Sequence, residues 1–329
     1  MKWLSDSALD RLRAAADAPD LSGTRYVLVD KLGQGGMGSV YRVEDTMLGR
    51  LVALKVVGFV DSSGELAARL LREAKVIAQL EHPGIVPVHD AGTLPDGRVF
   101  YTMKLVQGQR LDERVTKMGS VPDRLRMFQK ICEAVSFAHA HGVLHRDLKP
   151  QNVMVGPFGE VLVMDWGLSK LLNAKTHGVE AAGTPHPTPV PVGQTLATST
   201  APGLVLGTPG YMAPEQARGD LLVLDQRADI YSLGEVVKFL LASAFPDRMP
   251  KALAAICNKA SAQDVQSRYN SVDELANDVS RYLDGQPVSA YPESPFARGW
   301  RWAVKNSAWL LLVLAYVVMR ALLIWWRGR

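Results

Sequence analysis

Apolar residues recur along this chain at two different periods, and the switches between them divide it into elements. Residues 26–31 and 39–43 have strand character, and Gly33, Gly35, Gly36 and Gly38 lie in and around the gap between them. That order predicts a β-hairpin with a glycine-rich turn. Over residues 64–80 the period lengthens, with Leu66, Leu70, Leu71, Ala74, Ile77 and Ala78 at helical spacing. An amphipathic helix is predicted there. Cys132 and Cys257 each sit on an apolar stretch predicted to be a buried helix, and residues 271–283 read as a last helix. A short amphipathic helix is expected near residues 5–16, without a readable role, and the chain shows no internal repeats.

Two segments break this alternation. Residues 184–193, with Pro185, Pro187, Pro189 and Pro191, cannot be regular structure, because closely spaced prolines remove donors and fix φ. Residues 308–326 form a 19-residue run that is apolar except for Arg320. As a helix it would extend about 28 Å, close to the roughly 30 Å hydrocarbon core of a bilayer. Trp309, Trp325 and Trp326 stand at its ends, as in an interfacial aromatic belt. A C-terminal membrane anchor is expected, with a helix lying in the interface or one docked on the globular part as the alternatives. Arg320 opposes a simple span, and its guanidinium is expected to reach toward the C-terminal interface.

Composition adjusts this outline at three points. The chain has 329 residues, enough for a large core and two units. Its formal charge is +4, but residues 298–329 carry six basic side chains and no acid, so residues 1–297 stand at about −2. The basic character belongs to the tail, and a nucleic-acid partner is not suggested. Two cysteines without metal-ligand spacing read as buried thiols in a reducing compartment. Residues 1–15 include Asp6, Asp10, Arg11 and Arg13 in place of an apolar core, so no cleavable leader is expected.

The candidate chemistry concentrates in residues 145–152, His-Arg-Asp-Leu-Lys-Pro-Gln-Asn, followed thirteen residues later by Asp165-Trp166-Gly167. An acid, a lysine, an amide and a second acid at this spacing suit phosphoryl transfer, which depends on positioning and charge neutralisation. Asp147 would orient an acceptor hydroxyl and take its proton, with Lys149 a fixed cation beside the transferring group. Asn152 and Asp165 would hold the metal ions that bridge the phosphates. Upstream, Leu32-Gly33-Gln34-Gly35-Gly36-Met37-Gly38-Ser39-Val40 has the pattern G-x-G-x-x-G-x-V, and Lys55 follows fifteen residues after Val40. A dinucleotide-binding loop would need a helix opening directly from the glycines, whereas a strand follows here.

Together these blocks resemble the eukaryotic-type (Hanks-type) serine/threonine protein kinases, over roughly 260 of the 329 residues. The resemblance implies an α+β, bilobal kinase fold, with a β-rich lobe at 26–103 and a mainly helical lobe at 104–284. Residues 1–25 would be an N-terminal extension, 285–306 a juxtamembrane linker, 307–326 the transmembrane helix and 327–329 a basic tail. It makes Glu73 the ion-pair partner of Lys55, and ATP with Mg²⁺ or Mn²⁺ the co-substrate. Backbone contacts to the nucleotide fall to Lys104 through Val106, and an apolar sandwich to Val40, Ala53 and Met154. Lys149, two residues after the acid, points to Ser or Thr acceptors on protein substrates, and Thr208 fits the same class.

Residues 207–215, Gly-Thr-Pro-Gly-Tyr-Met-Ala-Pro-Glu, match the end of a kinase activation segment, so Asp165 to Glu215 spans 51 residues. Thr195, Thr198, Ser199 and Thr200 cluster before it, and Arg146 is placed to pair with a phosphate there. Autophosphorylation at Thr198 or Thr200 is expected. Arg268 is expected to pair with Glu215. Trp166 stands where the family has Phe and is expected to pack on His145 and Ile77. The family's αG helix is missing between residues 229–234 and 250–260, which leaves substrate docking undefined. The bacterial membrane-anchored kinases are the nearest kind, with a single span in the cell membrane, the catalytic side cytoplasmic, and a homodimer permitted by the anchor. No extracellular sensor is expected. A nucleotide-binding pseudokinase scaffold is the alternative; a small-molecule phosphotransferase is disfavoured by residues 207–215.

Overall fold

The computed structural model describes residues 18–35, 38–57, 65–166, 210–218 and 224–292, with scattered positions from 309 to 326. Three strands open the chain: β1 (Tyr26–Gly35), β2 (Gly38–Asp45) and β3 (Arg50–Val57). Helix α1 (Glu65–Ala78) follows, then β4 (Val88–Thr93) and β5 (Val99–Lys104). These strands form one antiparallel sheet in the order β1-β2-β3-β5-β4. The glycines close the β1–β2 hairpin, where Gly35 pairs with Gly38. Gly38 adopts φ 141°, a value that L side chains rarely reach.

Alternation along the strands gives the sheet two different faces. Tyr41, Val43, Val52, Leu54, Val56 and Phe100 bury into a small core of their own. Ala53, Tyr101 and Met103 instead join Ala74 and Ile77 of α1 in the main core, which continues into the second lobe. Lys55 lies on β3 opposite Val40 of β2 and Tyr101 of β5. The sheet thus delivers a lysine to the cleft side.

The second lobe is helical. A short strand β6 (Gln109–Arg110) and helix α2 (Leu111–Arg114) precede the long α3 (Val121–Ala140). Ser120 caps α3: its hydroxyl accepts from the Asp123 N–H at 3.4 Å while the Asp123 carboxylate accepts from the Ser120 N–H at 3.3 Å. After the loop at 141–149, β7 (Val153–Val155) and β8 (Val161–Val163) pair with β6 in a three-stranded sheet. Four α-helices follow: α4 (Pro214–Ala217), α5 (Arg227–Ala242), α6 (Lys251–Ala260) and α7 (Val272–Leu283). Ile230, Leu233, Val237 and Leu240 of α5 pack with Phe128, Ile131 and Val135 of α3 in the main core. A Cβ on Gly234 would stand 2.8 Å from the Ser261 backbone nitrogen, so glycine is what lets α5 and α6 approach.

Residues 243–250 connect α5 to α6 without a helix between them. The buried Arg124 closes this junction from α3, donating to the Leu240 carbonyl and the Ser243 hydroxyl, both at 2.6 Å. A cation at the carbonyl end of α5 also meets the negative pole of that helix. After α7 the chain is fastened by Asp278, which accepts from Tyr269 Oη at 2.8 Å and from Ser289 N and Oγ at 2.7 Å each. Both cysteines are buried, and burial raises the Cys132 thiol well above its ordinary range and the Cys257 thiol to about 12. They are inert core thiols.

Among the described residues no helix is long and apolar enough to cross a membrane. In the tail, Trp309, Leu312, Tyr316, Val318, Met319, Ile324, Trp325 and Trp326 are helical and exposed. The Arg320 guanidinium lies over the Tyr316 ring, 6.0 Å from its centroid. This corrects the expectation that it reaches toward the C-terminal end. Helix side chains tilt N-terminally, and a ring one turn back offers the cation a π-face.

Candidate active site

The loop carrying Asp147 is shaped by a carboxylate far away in sequence. Asp229, at the start of α5 and 1% exposed, accepts from the backbone N–H of His145 at 2.8 Å and of Arg146 at 2.7 Å. His139 Nε2 lies 2.8 Å from the same carboxylate. Burial alone would push the Asp229 carboxyl up, but these partners outweigh it and hold the group below its ordinary range. Arg146 takes φ 64°, a left-handed conformation that costs a non-glycine residue about 1–3 kcal/mol. The two backbone hydrogen bonds donated to Asp229 hold the loop in that conformation.

His145 links this loop to the second acid. Its Nε2 is 2.9 Å from the Met164 carbonyl, which can only accept, so Nε2 carries the proton. Nδ1 is then free to accept from the Asp147 N–H at 3.3 Å. Burial depresses the pKa of this imidazole and keeps it neutral, as that pattern requires. Its ring packs 4.8 Å from Trp166, whose Nε1 donates to the Val163 carbonyl at 3.1 Å. Trp166 is 3% exposed and shares the main core with Ile77. Between Met164 and Trp166, Asp165 adopts φ 56°.

The reactive groups converge inside this frame. Lys149 Nζ lies 3.0 Å from Asp147 Oδ2, and Asn152 Nδ2 donates to the Asp147 carbonyl at 2.7 Å, with Oδ2 at 3.3 Å. Across the cleft, Lys55 Nζ meets Asp165 Oδ1 at 2.6 Å. Burial is the largest influence on the Lys55 ammonium and works against its charge. Tyr101 and Asp165 outweigh it, and the lysine stays protonated. Val40, Ala53, Met103, Leu105, Val106 and Met154 fall in or against one apolar cluster. The Lys104 N–H is committed to the Pro87 carbonyl at 3.1 Å, so a contact from Lys104 to a base falls to its carbonyl. Leu32, at the hairpin, is 47% exposed; Gly33, Gln34, Gly35 and Ser39 lie on the paired strands beside it.

Several expected residues lie outside the described ones. They are Gly36, Met37, Thr195, Thr198, Ser199, Thr200, Thr208 and the side chain of Glu73, which stands on α1. Arg268 does pair with Glu215, in a fork of 2.7 and 2.8 Å, both residues being buried. Gln216 Nε2 donates to the Arg146 carbonyl at 3.2 Å, tying the end of the activation segment to the catalytic loop. Local spacing did not flag Asp229 or His139, because Asp229 holds a loop 83 to 84 residues before it and His139 meets Asp229 from 90 residues away. Tyr101 was likewise missed; on its strand it looks like any core aromatic.

The donor set fits Mg²⁺. Asn152 and Asp165 offer one amide oxygen and one carboxylate, and among the described residues no cluster of three or more His, Cys, Asp or Glu is gathered. Hard oxygen donors so few in number suit an ion that completes its octahedron with water and substrate phosphates.

A sheet lobe whose Lys55 meets Asp165 across the cleft, and a helical lobe whose Asp147 is held by Lys149 and Asn152, define a protein kinase. The protein kinase domain family matches residues 26–284, and the chain belongs to that family. It is 36% identical over 303 residues to the serine/threonine-protein kinase PknD of Chlamydia felis, covering 80% of this chain and 31% of that protein. It is 34% identical over 306 residues to PknD of Protochlamydia amoebophila, covering 79% and 30%. The chain therefore spans about a third of the length of these curated relatives. Among solved structures, the PknI kinase domain of Mycobacterium tuberculosis superposes with a TM-score of 0.58 at 26% identity, covering 80% of this chain and 98% of that one.

Proposed function

We propose that this chain transfers the γ-phosphate of ATP to serine or threonine hydroxyls of proteins. The observation that carries the reading is the Asp147 carboxylate held by both Lys149 and Asn152, with the Lys55–Asp165 pair across the cleft. Asp147 orients the acceptor hydroxyl and receives its proton as the oxygen attacks. Lys149 stays beside the transferring group and offsets its negative charge. Lys55 holds the α and β phosphates, and the glycine hairpin covers them with backbone N–H groups. Asn152 and Asp165 would hold Mg²⁺, which neutralises phosphate charge when bound. The full chain incubated with labelled ATP and Mg²⁺ should label a protein acceptor. Asp147→Asn should reduce that rate by about 10² to 10⁴. Equal rates in the two proteins would defeat the assignment.

Two further parts of the reading concern control and place. Phosphate on Thr198 or Thr200 would pair with the Arg146 guanidinium and order the activation segment, so active protein should carry phosphate between residues 195 and 200 on mass spectrometry. The 19-residue run at 308–326, with tryptophans at its ends, supports a single membrane span with the catalytic domain on the ATP side. The anchor also leaves room for a homodimer. Carbonate-washed membranes should retain the full chain and release a form ending at residue 297.

A further inference from the structure

Arg146, the left-handed residue before Asp147, is gripped on both sides of its backbone. Its N–H donates to Asp229 at 2.7 Å, and its carbonyl accepts from Gln216 Nε2 at 3.2 Å. That carbonyl belongs to the same planar peptide as the Asp147 N–H, which donates to His145 Nδ1 at 3.3 Å. Gln216 therefore holds one edge of the rigid plane that leads into the catalytic residue. The other end of its side chain serves a different segment, since Gln216 Oε1 accepts from the N–H of the buried Ala213 at 3.3 Å. Reversing the amide would set oxygen against carbonyl and NH₂ against N–H, so a single orientation satisfies both. Asparagine is a methylene shorter, and an ionised glutamate has no donor. Residues 210–213 have a second attachment, in which the Ser232 hydroxyl donates to the Tyr211 carbonyl at 2.8 Å. Ser232 is on α5, the helix that also carries Asp229.

We propose that Gln216 is a positioning residue for the transfer: its side-chain amide keeps segment 210–213, on the acceptor side, in register with the Asp147 carboxylate. The inference rests on the protein-kinase reading above, in which the end of the activation segment faces the acceptor and Asp147 takes the acceptor's proton. It adds a residue that acts through the backbone of the catalytic loop. Because Ser232 keeps the segment on α5, loss of the amide uncouples the loop without releasing the segment. The deficit falls on the rate of transfer. Nucleotide binding is spared, because Lys55 and Asp165 meet across the cleft without Gln216.

Steady-state kinetics of the full chain with ATP and Mg²⁺, following transfer to dephosphorylated casein and to the chain itself, test this. Gln216→Met keeps the length and helix propensity of the side chain and removes its donor. Its kcat per folded molecule should fall about tenfold, as for a small misplacement of a catalytic group, while KM for ATP stays within about twofold. Gln216→Glu supplies a signature that a merely structural role would not move. Ionised, it accepts from Ala213 but cannot donate to the Arg146 carbonyl; protonated, it regains both the shape and the donor of glutamine. Taken as a ratio to the unsubstituted chain, its kcat should rise about threefold to tenfold from about pH 8 to about pH 5.5, since a half-buried carboxyl facing a carbonyl titrates above the ordinary range. Arg146 and Asp147 on the loop, and Glu215, Arg218 and Arg268 around α4, are common to both proteins, so the ratio isolates position 216. It also decides the matter should Gln216→Met lose its melting transition. Unchanged kcat in a folded Gln216→Met protein, a KM for ATP that rises in step with the fall in kcat, or a Gln216→Glu ratio flat with pH overturns the proposal. An unsubstituted chain that labels neither casein nor itself overturns the kinase reading and this inference with it.

Discussion

The two lobes hold their charges in opposite ways. Away from the buried Lys55 and from Asp45, which Arg25 also meets, the ion pairs of the sheet lobe lie at the surface: Arg42 Nε reaches Asp30 Oδ1 at 2.9 Å with side chains 37% and 44% exposed, and Arg25 pairs with Asp90 under similar exposure. In the helical lobe the charged groups around the catalytic loop are buried and multiply bonded, with Asp229 at 1%, Glu215 at 4% and Arg268 at 3% exposed. Surface pairs add little stability, while removing one partner of a buried pair strands the other. The lobe that grips nucleotide is therefore organised by strand pairing, and the lobe that performs the transfer is organised by fixed charges.

The sharpest break of this contrast is Asp229→Ala. It orphans the His145 and Arg146 N–H groups together, so unfolding free energy should drop by about 3 to 5 kcal/mol in a denaturant titration. Any folded remainder should transfer phosphate about 10²-fold more slowly, as expected when a catalytic group shifts by an ångström. Glu215→Gln comes next, at about 2 to 3 kcal/mol, since an amide keeps an accepting oxygen but loses the charge that answers Arg268. Burial pushes the Glu215 carboxyl up and Arg268 more than reverses this, so its folded pKa lies below the ordinary 4.5. A depressed carboxylate contributes its full stability above 4.5 and loses it as pH falls through the folded value. Melting curves taken downward from pH 5 should therefore decline less steeply in Glu215→Gln than in the unsubstituted chain.

Smaller effects refine the same comparison. Trp166→Phe removes the bond to the Val163 carbonyl while keeping an aromatic against His145, and should cost about 1 kcal/mol by chemical denaturation. Arg42→Ala, in the other lobe, should leave the melting temperature where it is. A loss there comparable to that of Glu215→Gln would mean that the sheet lobe too depends on its charges.

Much of this was readable along the chain, and the reasons are local. The hairpin at 26–43 and the helix at 64–80 follow from side-chain period, and the structure places them at β1 with β2 and at α1. Lys55, Asp147, Lys149, Asn152 and Asp165 stand out because phosphoryl transfer needs those groups near glycines and at short spacing. Arg268 with Glu215 required the family resemblance, since nothing in either neighbourhood names the other. Arg320 lies over the ring of Tyr316 one turn behind it, a contact that hydropathy along the run does not report.

By itself the sequence determined the class of chemistry and the order of its parts, because periodicity, glycine freedom and short motifs are properties of neighbouring residues. Tertiary structure alone decided that Asp229 supports the left-handed Arg146, that Lys55 meets Asp165 from 110 positions away, and that the Tyr101 ring lies beside that ammonium. Those relations depend on which strand lies beside which and which helix start faces which loop. Packing sets that geometry, and a linear pattern does not contain it.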